Sequence, residues 1–343
     1  MPDITLDTPT GTVVFNYTIS TPTQTSASHI DPALPTILFL HPVYLGKVIF
    51  HQQFEDRELR RFNLIGLDLR CHGRTQGKAG KGYGREVAAR DVELFMSSLQ
   101  IPKYHLFGMS MGGCIALQTG ILFPSAVLSI FIVSSLPLTE PTDVGEGRQE
   151  IYRYWAQGVT CNETHTPGSS LSDAITGCFQ LSVNNHPSKV FNAIVRASFP
   201  FMMQQWGIDQ LDDFHAASVE FFTLREAYTV EAMRNISCPV YMVHCSADIA
   251  YDVSTTNKVA DHLRTAGVSV EVTEIPGAAH FGSTTHPTEV NDLLHRFILS
   301  VCPQPPPPIP ETVESPFREE LVTVGWDSDS ESDDPESTRH KFI

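Results

Sequence analysis

The 343-residue chain predicts an α/β fold: a mostly parallel sheet flanked by helices, with a block of helices inserted late in it. Three observations carry that prediction. Short apolar runs at Thr36–Leu40, Asn63–Leu67, Tyr104–Met109 and Val127–Val133, and again at 239–245, alternate with helix-compatible segments, as strands buried on both faces do. The rhythm stops between about 136 and 235, where aromatic and large apolar residues crowd helix-compatible sequence. Finally, residues 104–117 read as a strand, an abrupt turn centred on Ser110, and a helix that is apolar almost all round.

In chain order, residues 4–20 alternate weakly around Gly11 and predict an antiparallel hairpin; the polar run 21–34 is a loop. The first buried strand, Thr36–Leu40, ends in His41-Pro42-Val43-Tyr44-Leu45-Gly46, with a helix expected through Phe54 to Arg60. The second, Asn63–Leu67, runs into Asp68-Leu69-Arg70-Cys71-His72-Gly73. Ala88, Val92, Phe95 and Leu99 then form the stripe of an amphipathic helix. After the inserted block a strand at 239–245 leads to Asp248, a helix spans about 254–265, and a strand at 268–275 leads to His280. Val290, Leu293, Leu294, Phe297, Ile298 and Val301 mark a last amphipathic helix opened by Pro287. The expected organisation is a core at 1–136 and 236–302, a helical cap at 137–235, and a Pro-rich, acidic, disordered tail at 303–343. In that tail Leu321, Val322, Val324 and Trp326 offer a docking face for the body or a partner. The acid-flanked serines near Asp327 suit an acid-directed kinase, and the plainer reading is a solubilising tail.

Composition narrows the partners. Thirty-nine acidic side chains face 23 basic ones, a net charge of −16, which disfavours nucleic acid and anionic membranes. The N-terminal residues carry neither a basic nor an apolar leader segment, and no apolar run reaches bilayer length, so a cytoplasmic protein without a membrane span is expected. Seven cysteines without paired spacing point to neither a disulfide framework nor a metal site.

The chemistry centres on Gly108-Met109-Ser110-Met111-Gly112. A serine at the tip of so sharp a turn has strained backbone angles and needs small neighbours two residues away on either side, which the glycines supply. The plain alternative is a Gly-rich helix start with a serine cap. A serine hydroxyl is a poor nucleophile at neutral pH, so it needs a base and a group that fixes the base's tautomer. His280 and Asp248, each in a loop after a later strand and in the order Ser, Asp, His, meet that need. Asp248 also fits an Asx turn, whereas Asp252 reads as the start signal of the next helix.

These motifs, with His41-Pro42 after the first buried strand and Cys71-His72-Gly73 after the second, resemble the α/β-hydrolase superfamily. The chain looks most like its capped members that act on small esters and lactones, such as 3-oxoadipate enol-lactonases and related carboxylesterases. The resemblance implies an oxyanion hole formed by the backbone amides of Val43 and Met111. It departs from the family pattern at Pro42, where a glycine is usual, and Tyr44 is the alternative donor. It departs again at Cys71, which stands where the family has glycine. His41 and His72 then serve to fix the two loops. The implied reaction is attack by Ser110 on an ester or lactone carbonyl, an acyl-enzyme, and release by water, with no cofactor and no metal. The aromatic cap suggests an apolar or aromatic acyl group. The same residues also fit an acyltransferase or a carbon–carbon bond hydrolase, and the same fold fits a non-catalytic ligand receptor or scaffold.

Overall fold

A computed structural model describes residues 1–302 and 305–327. Eight strands form one sheet: β1 (Asp3–Thr8), β2 (Gly11–Ser20), β3 (Thr36–Leu40), β4 (Asn63–Leu67), β5 (Tyr104–Met109), β6 (Val127–Val133), β7 (Val240–Cys245) and β8 (Val270–Ile275), in the spatial order β1-β2-β4-β3-β5-β6-β7-β8. β1 and β2 form the antiparallel hairpin and β2 runs antiparallel to β4; every later pairing is parallel. β3, β4 and β5 are buried throughout, which is why each is mostly apolar rather than alternating. Helices Arg85–Ser98 and Met111–Leu122 lie against one another, and the helix Pro287–Val301 covers β6. Between β3 and β4 the expected helix is broken into turns at Lys47–Phe50, His51–Phe54 and Leu59–Arg61.

Between β6 and β7 the chain leaves the sheet for helices Thr142–Thr160, Ser170–Val183 and Lys189–Gln205 and a wound segment at 211–223 that includes a π-helical turn at Ala216–Glu220. Trp155, Trp206 and Phe214 form its core: Trp206 stacks on Phe214 at 4.6 Å, and Trp155 meets Trp206 edge-on at 5.5 Å. The insertion is tied to the sheet side by the Trp206 indole N–H, which donates to Cys71 O at 2.7 Å, and by Gln205, which donates to Thr75 O at 2.8 Å. Among the described residues no helix is long and apolar enough to cross a membrane.

The tail departs from expectation. Composition predicts disorder over 303–343, yet 305–327 lies against the body. The Nε of Arg61 donates to Pro307 O at 2.7 Å, Arg57 Nε to Pro310 O at 2.8 Å, and Arg60 Nη1 to Glu314 O at 2.9 Å. A short helix, Arg318–Thr323, follows, and Phe317, Leu321 and Trp326 are buried. Phe317 meets Phe54 at 5.3 Å, Trp326 meets His51 at 4.7 Å, and Arg196 of the insertion donates to Val324 O at 3.0 Å. The physical reason is local. A proline-rich strand lacks amide donors but keeps its carbonyls, and three arginines satisfy those carbonyls while three large apolar side chains find a receiving surface. Of the acidic stretch only Asp327 is described; its serines lie outside the described residues.

Candidate active site

Ser110 joins the end of β5 to the helix that starts at Met111. Its backbone sits at φ 54° and ψ −113°, a strained conformation for a residue with a side chain, worth roughly 1–3 kcal/mol. Backbone bonds hold the strain in place: Ser110 N donates to Val133 O at 3.0 Å, and Ser110 O accepts from Gly113 N at 2.9 Å and Cys114 N at 3.2 Å. A Cβ on Gly108 would strike the backbone of Gly112, and one on Gly112 would strike the carbonyl of Leu40, so both positions require glycine for close approach. The second contact sets the helix start directly beside the end of β3.

Three loops at the carboxyl ends of the parallel strands converge here. The His280 Nε2 lies 2.9 Å from Ser110 Oγ, and its Nδ1 lies 2.5 Å from Asp248 Oδ2. The other oxygen of Asp248 accepts from Ala250 N at 2.9 Å and Tyr251 N at 3.1 Å, so Asp248 forms its turn and reaches the histidine at once. Asp252, by contrast, caps the helix Val253–Thr265 through Thr255 N. The side chains of His280 and Asp248 are buried, and Ser110 is only 1% exposed. The insertion clamps the two partner loops: Ser182 O accepts from Phe281 N at 2.9 Å and Asn184 donates to Ala247 O at 2.7 Å.

On the opposite side, Val43 and Tyr44 line the same cavity as Ser110 and His280. Their amides donate no hydrogen bond among the described residues, and Met111, as the first helical residue, has no acceptor within its own helix. Cys71 takes φ 61°, a left-handed angle at the second departure from the glycine pattern, and Tyr44, two residues after Pro42, takes φ 74°. The two loops are joined through histidines: Leu69 N donates to His41 Nε2 at 2.9 Å, and the His41 and His72 rings lie 5.2 Å apart. Burial pushes His41 down to about 4 and His72 down to about 3, so both are neutral struts at pH 7. Burial likewise pushes the Cys71 thiol up to about 12, and it faces Gly77 O at 3.5 Å.

The cavity beside Ser110 has room for about 10 Å³, close to one water. It adjoins a second, apolar cavity of about 30 Å³ between Trp155, Ile175, Phe191 and Phe214, and both share Tyr44, Cys178, Ser182 and Phe281.

Sequence reading missed one group at this site. Glu140, Arg148, Arg225 and Tyr251 form a buried network: Arg148 Nε donates to Glu140 Oε1 at 2.7 Å, Arg148 Nη2 to the Tyr251 hydroxyl at 3.0 Å, that hydroxyl to Glu140 Oε1 at 2.8 Å, and Arg225 Nη2 to Glu140 Oε2 at 3.1 Å. Burial alone would raise the Glu140 carboxyl, but Arg148, Arg225 and Tyr251 hold it below the usual carboxylate range. A signal was present: Val144, Arg148, Ile151 and Trp155 share one helical stripe, which places an arginine on a buried face.

A family model described as the alpha/beta hydrolase fold matches residues 35–287. Among curated proteins, a "Probable alcohol acetyltransferase" of Wickerhamomyces anomalus is 30% identical over 136 residues, which is 38% of this chain and 38% of that relative's length. Among solved structures, a thermophilic esterase from Thermogutta terrifontis, with malate bound, superposes with a TM-score of 0.64 at 16% identity, covering 88% of this chain and 99% of that one. Est816, described as an N-acyl homoserine lactone degrading enzyme, superposes at 0.60 and 21% identity, covering 86% and 100%. At those identities the likeness is one of fold.

Proposed function

Because the chain belongs to the α/β-hydrolase fold family, whose esterase neighbours support hydrolase or related acyl-transfer chemistry, we propose that it is a serine hydrolase of small esters or lactones. The observation that carries this reading is the hydrogen-bonded series Ser110 Oγ, His280 Nε2, His280 Nδ1, Asp248 Oδ2 at 2.9 and 2.5 Å. With the Nδ1 proton directed at Asp248, Nε2 is free to take the proton of Ser110 as Oγ attacks the carbonyl. The tetrahedral oxyanion is held by the amide of Met111 and that of Val43 or Tyr44. His280 then returns the proton to the leaving alkoxide, and water releases the acyl group by the same route. The insertion acts as a cap, and since the closed cavity is water-sized, it moves to admit substrate.

The test is labelling by a fluorophosphonate probe together with turnover of short p-nitrophenyl esters and lactones. Wild-type protein is expected to show both and Ser110→Ala neither. A wild-type protein that is neither labelled nor active, or a Ser110→Ala protein that still binds ligand while wild type shows no turnover, points to the receptor reading instead. The acetyltransferase match favours a second reading, transfer of the acyl group to an alcohol through the same acyl-enzyme. Ester formation from added ethanol, outrunning hydrolysis, is its signature.

A further inference from the structure

The cavity that holds Ser110 and His280 receives one permanently charged side chain, and it comes from the insertion: Arg148. Its side chain is 3% exposed. The guanidinium is fixed from three sides, by Glu140 at Nε, by the Tyr251 hydroxyl at Nη2, and by the ring of Phe222, whose centroid lies 3.6 Å from Cζ. Its Nη1 donates to no atom among the described residues. The Tyr44 hydroxyl, buried on the same cavity, lies against the Arg148 side chain without a bond of good geometry to it or to any other described group. A buried hydroxyl without a well-formed bond, next to a guanidinium nitrogen that donates to no described group, is best satisfied by an acceptor that arrives with the ligand.

The nearby anions do not supply that acceptor. Glu140 is shared between Arg148 and Arg225, and Arg225 directs its Nη1 to the carbonyls of Pro137 and Leu138. Asp248 has one oxygen on His280 and the other on the amides of Ala250 and Tyr251. The rest of the wall, Val43, Leu181, Ala250 and Phe281, brings no charge, so an anion beside Arg148 would sit in a low dielectric where the pairing is strong.

We infer that Arg148, with the Tyr44 hydroxyl, forms a subsite for an anionic oxygen of the substrate. This rests on the serine-hydrolase reading and narrows it: the preferred substrate is an ester or lactone whose acyl part carries a carboxylate within a few bonds of the carbonyl attacked by Ser110. The planar fork suits a carboxylate better than a lone oxygen.

Matched substrates test this directly. Monomethyl succinate and monomethyl glutarate are compared with methyl butyrate and methyl valerate, which differ chiefly in the charged end. Wild type is expected to favour a half-ester over its neutral match by at least about tenfold in kcat/KM. In Arg148→Met the ratio falls to within about threefold of unity, and Arg148→Lys, which keeps a charge but loses the fork, lies between. Glu140→Gln/Arg148→Met serves if the single variant fails to fold. Independently, succinate binding to Ser110→Ala is measured by calorimetry, and adding Arg148→Lys is expected to weaken it at least tenfold. Wild-type ratios at or below one for both chain lengths, or equal succinate binding with and without the Arg148 change, overturn the subsite. Absence of turnover on every ester and of fluorophosphonate labelling overturns the serine-hydrolase reading instead, and the calorimetry still decides the subsite.

Discussion

Ser110, Asp248 and His280 stand on loops at the carboxyl ends of β5, β7 and β8, whereas Arg148, Trp155 and Trp206 approach the same space from helices that no sheet ladder supports. On the sheet side, position is set by backbone pairing: Ser110 N on Val133 O, Ser134 N on Val243 O and Ser246 N on Ile275 O are rungs that continue the strands into the loops. On the insertion side, position is set by side chains, through stacked rings, the Glu140 network, and the indole of Trp206 on Cys71 O. The difference teaches a division of labour. On the proposed reading, the rigid side carries atoms that must be placed to fractions of an ångström for proton transfer, and the adaptable side carries the surface that selects the ligand and moves for it.

Breaking the sheet side should cost chemistry first. Asp248→Asn keeps an acceptor for Ala250 N and Tyr251 N but can present an amide N–H to His280. Turnover is expected to fall by about 10³–10⁴-fold, with the thermal midpoint little changed. Steady-state kinetics and calorimetric melting check this, and a loss under tenfold would remove Asp248 from the proton path.

The loops beneath the site supply the next largest effect. His41 and His72 have folded-state values near 4 and 3, below the ordinary 6.5. The unfolded chain therefore binds more protons than the folded one as pH falls below about 6.5. Stability contributed by keeping them neutral is complete above that pH and lost on the way down through 4 and 3. From pH 7 to pH 5 the two together are expected to cost on the order of 4 kcal/mol, readable from urea denaturation at each pH. A flat profile over that window would mean the rings are not held neutral.

The tail joins the two sides. Its helix Arg318–Thr323 lies on the insertion helix Lys189–Gln205, while Phe317 and Trp326 meet Phe54 and His51 of the sheet side. Phe317→Ala is expected to lose about 3 kcal/mol by leaving a cavity, with a lower melting temperature. Truncation after Cys302 should do at least as much, and an unchanged midpoint would show that the strap contributes no stability.

The smallest effect sharpens the assignment of the acid. Asp252→Ala removes a helix cap four residues from Asp248 and should cost about 1 kcal/mol while leaving kcat within about twofold. A collapse of kcat there, with Asp248→Asn active, would exchange the two roles.

The strands were legible because a strand buried on both faces has to be mostly apolar, and β3, β5 and β6 are. The strained turn at Ser110 was legible because sterics leave few residues able to flank it. His280 and Asp248 followed from chain order and from standing after strands, so the sequence by itself determined the sheet and the three residues that meet at its edge. Other features depended on distant partners. The docking of 305–327 depends on Arg57, Arg60 and Arg61 some 250 positions earlier, which hold its carbonyls, and on Phe54 and His51, which receive Phe317 and Trp326; composition averages such pairings away. The placement of Arg148 on the cavity of Ser110 needs the helix Thr142–Thr160 to pack on the helix Ser170–Val183 and the wound segment 211–223 at one rotation, which side-chain contacts between remote segments choose. Local periodicity records which face of a helix is buried; only the tertiary structure decides what that face is buried against.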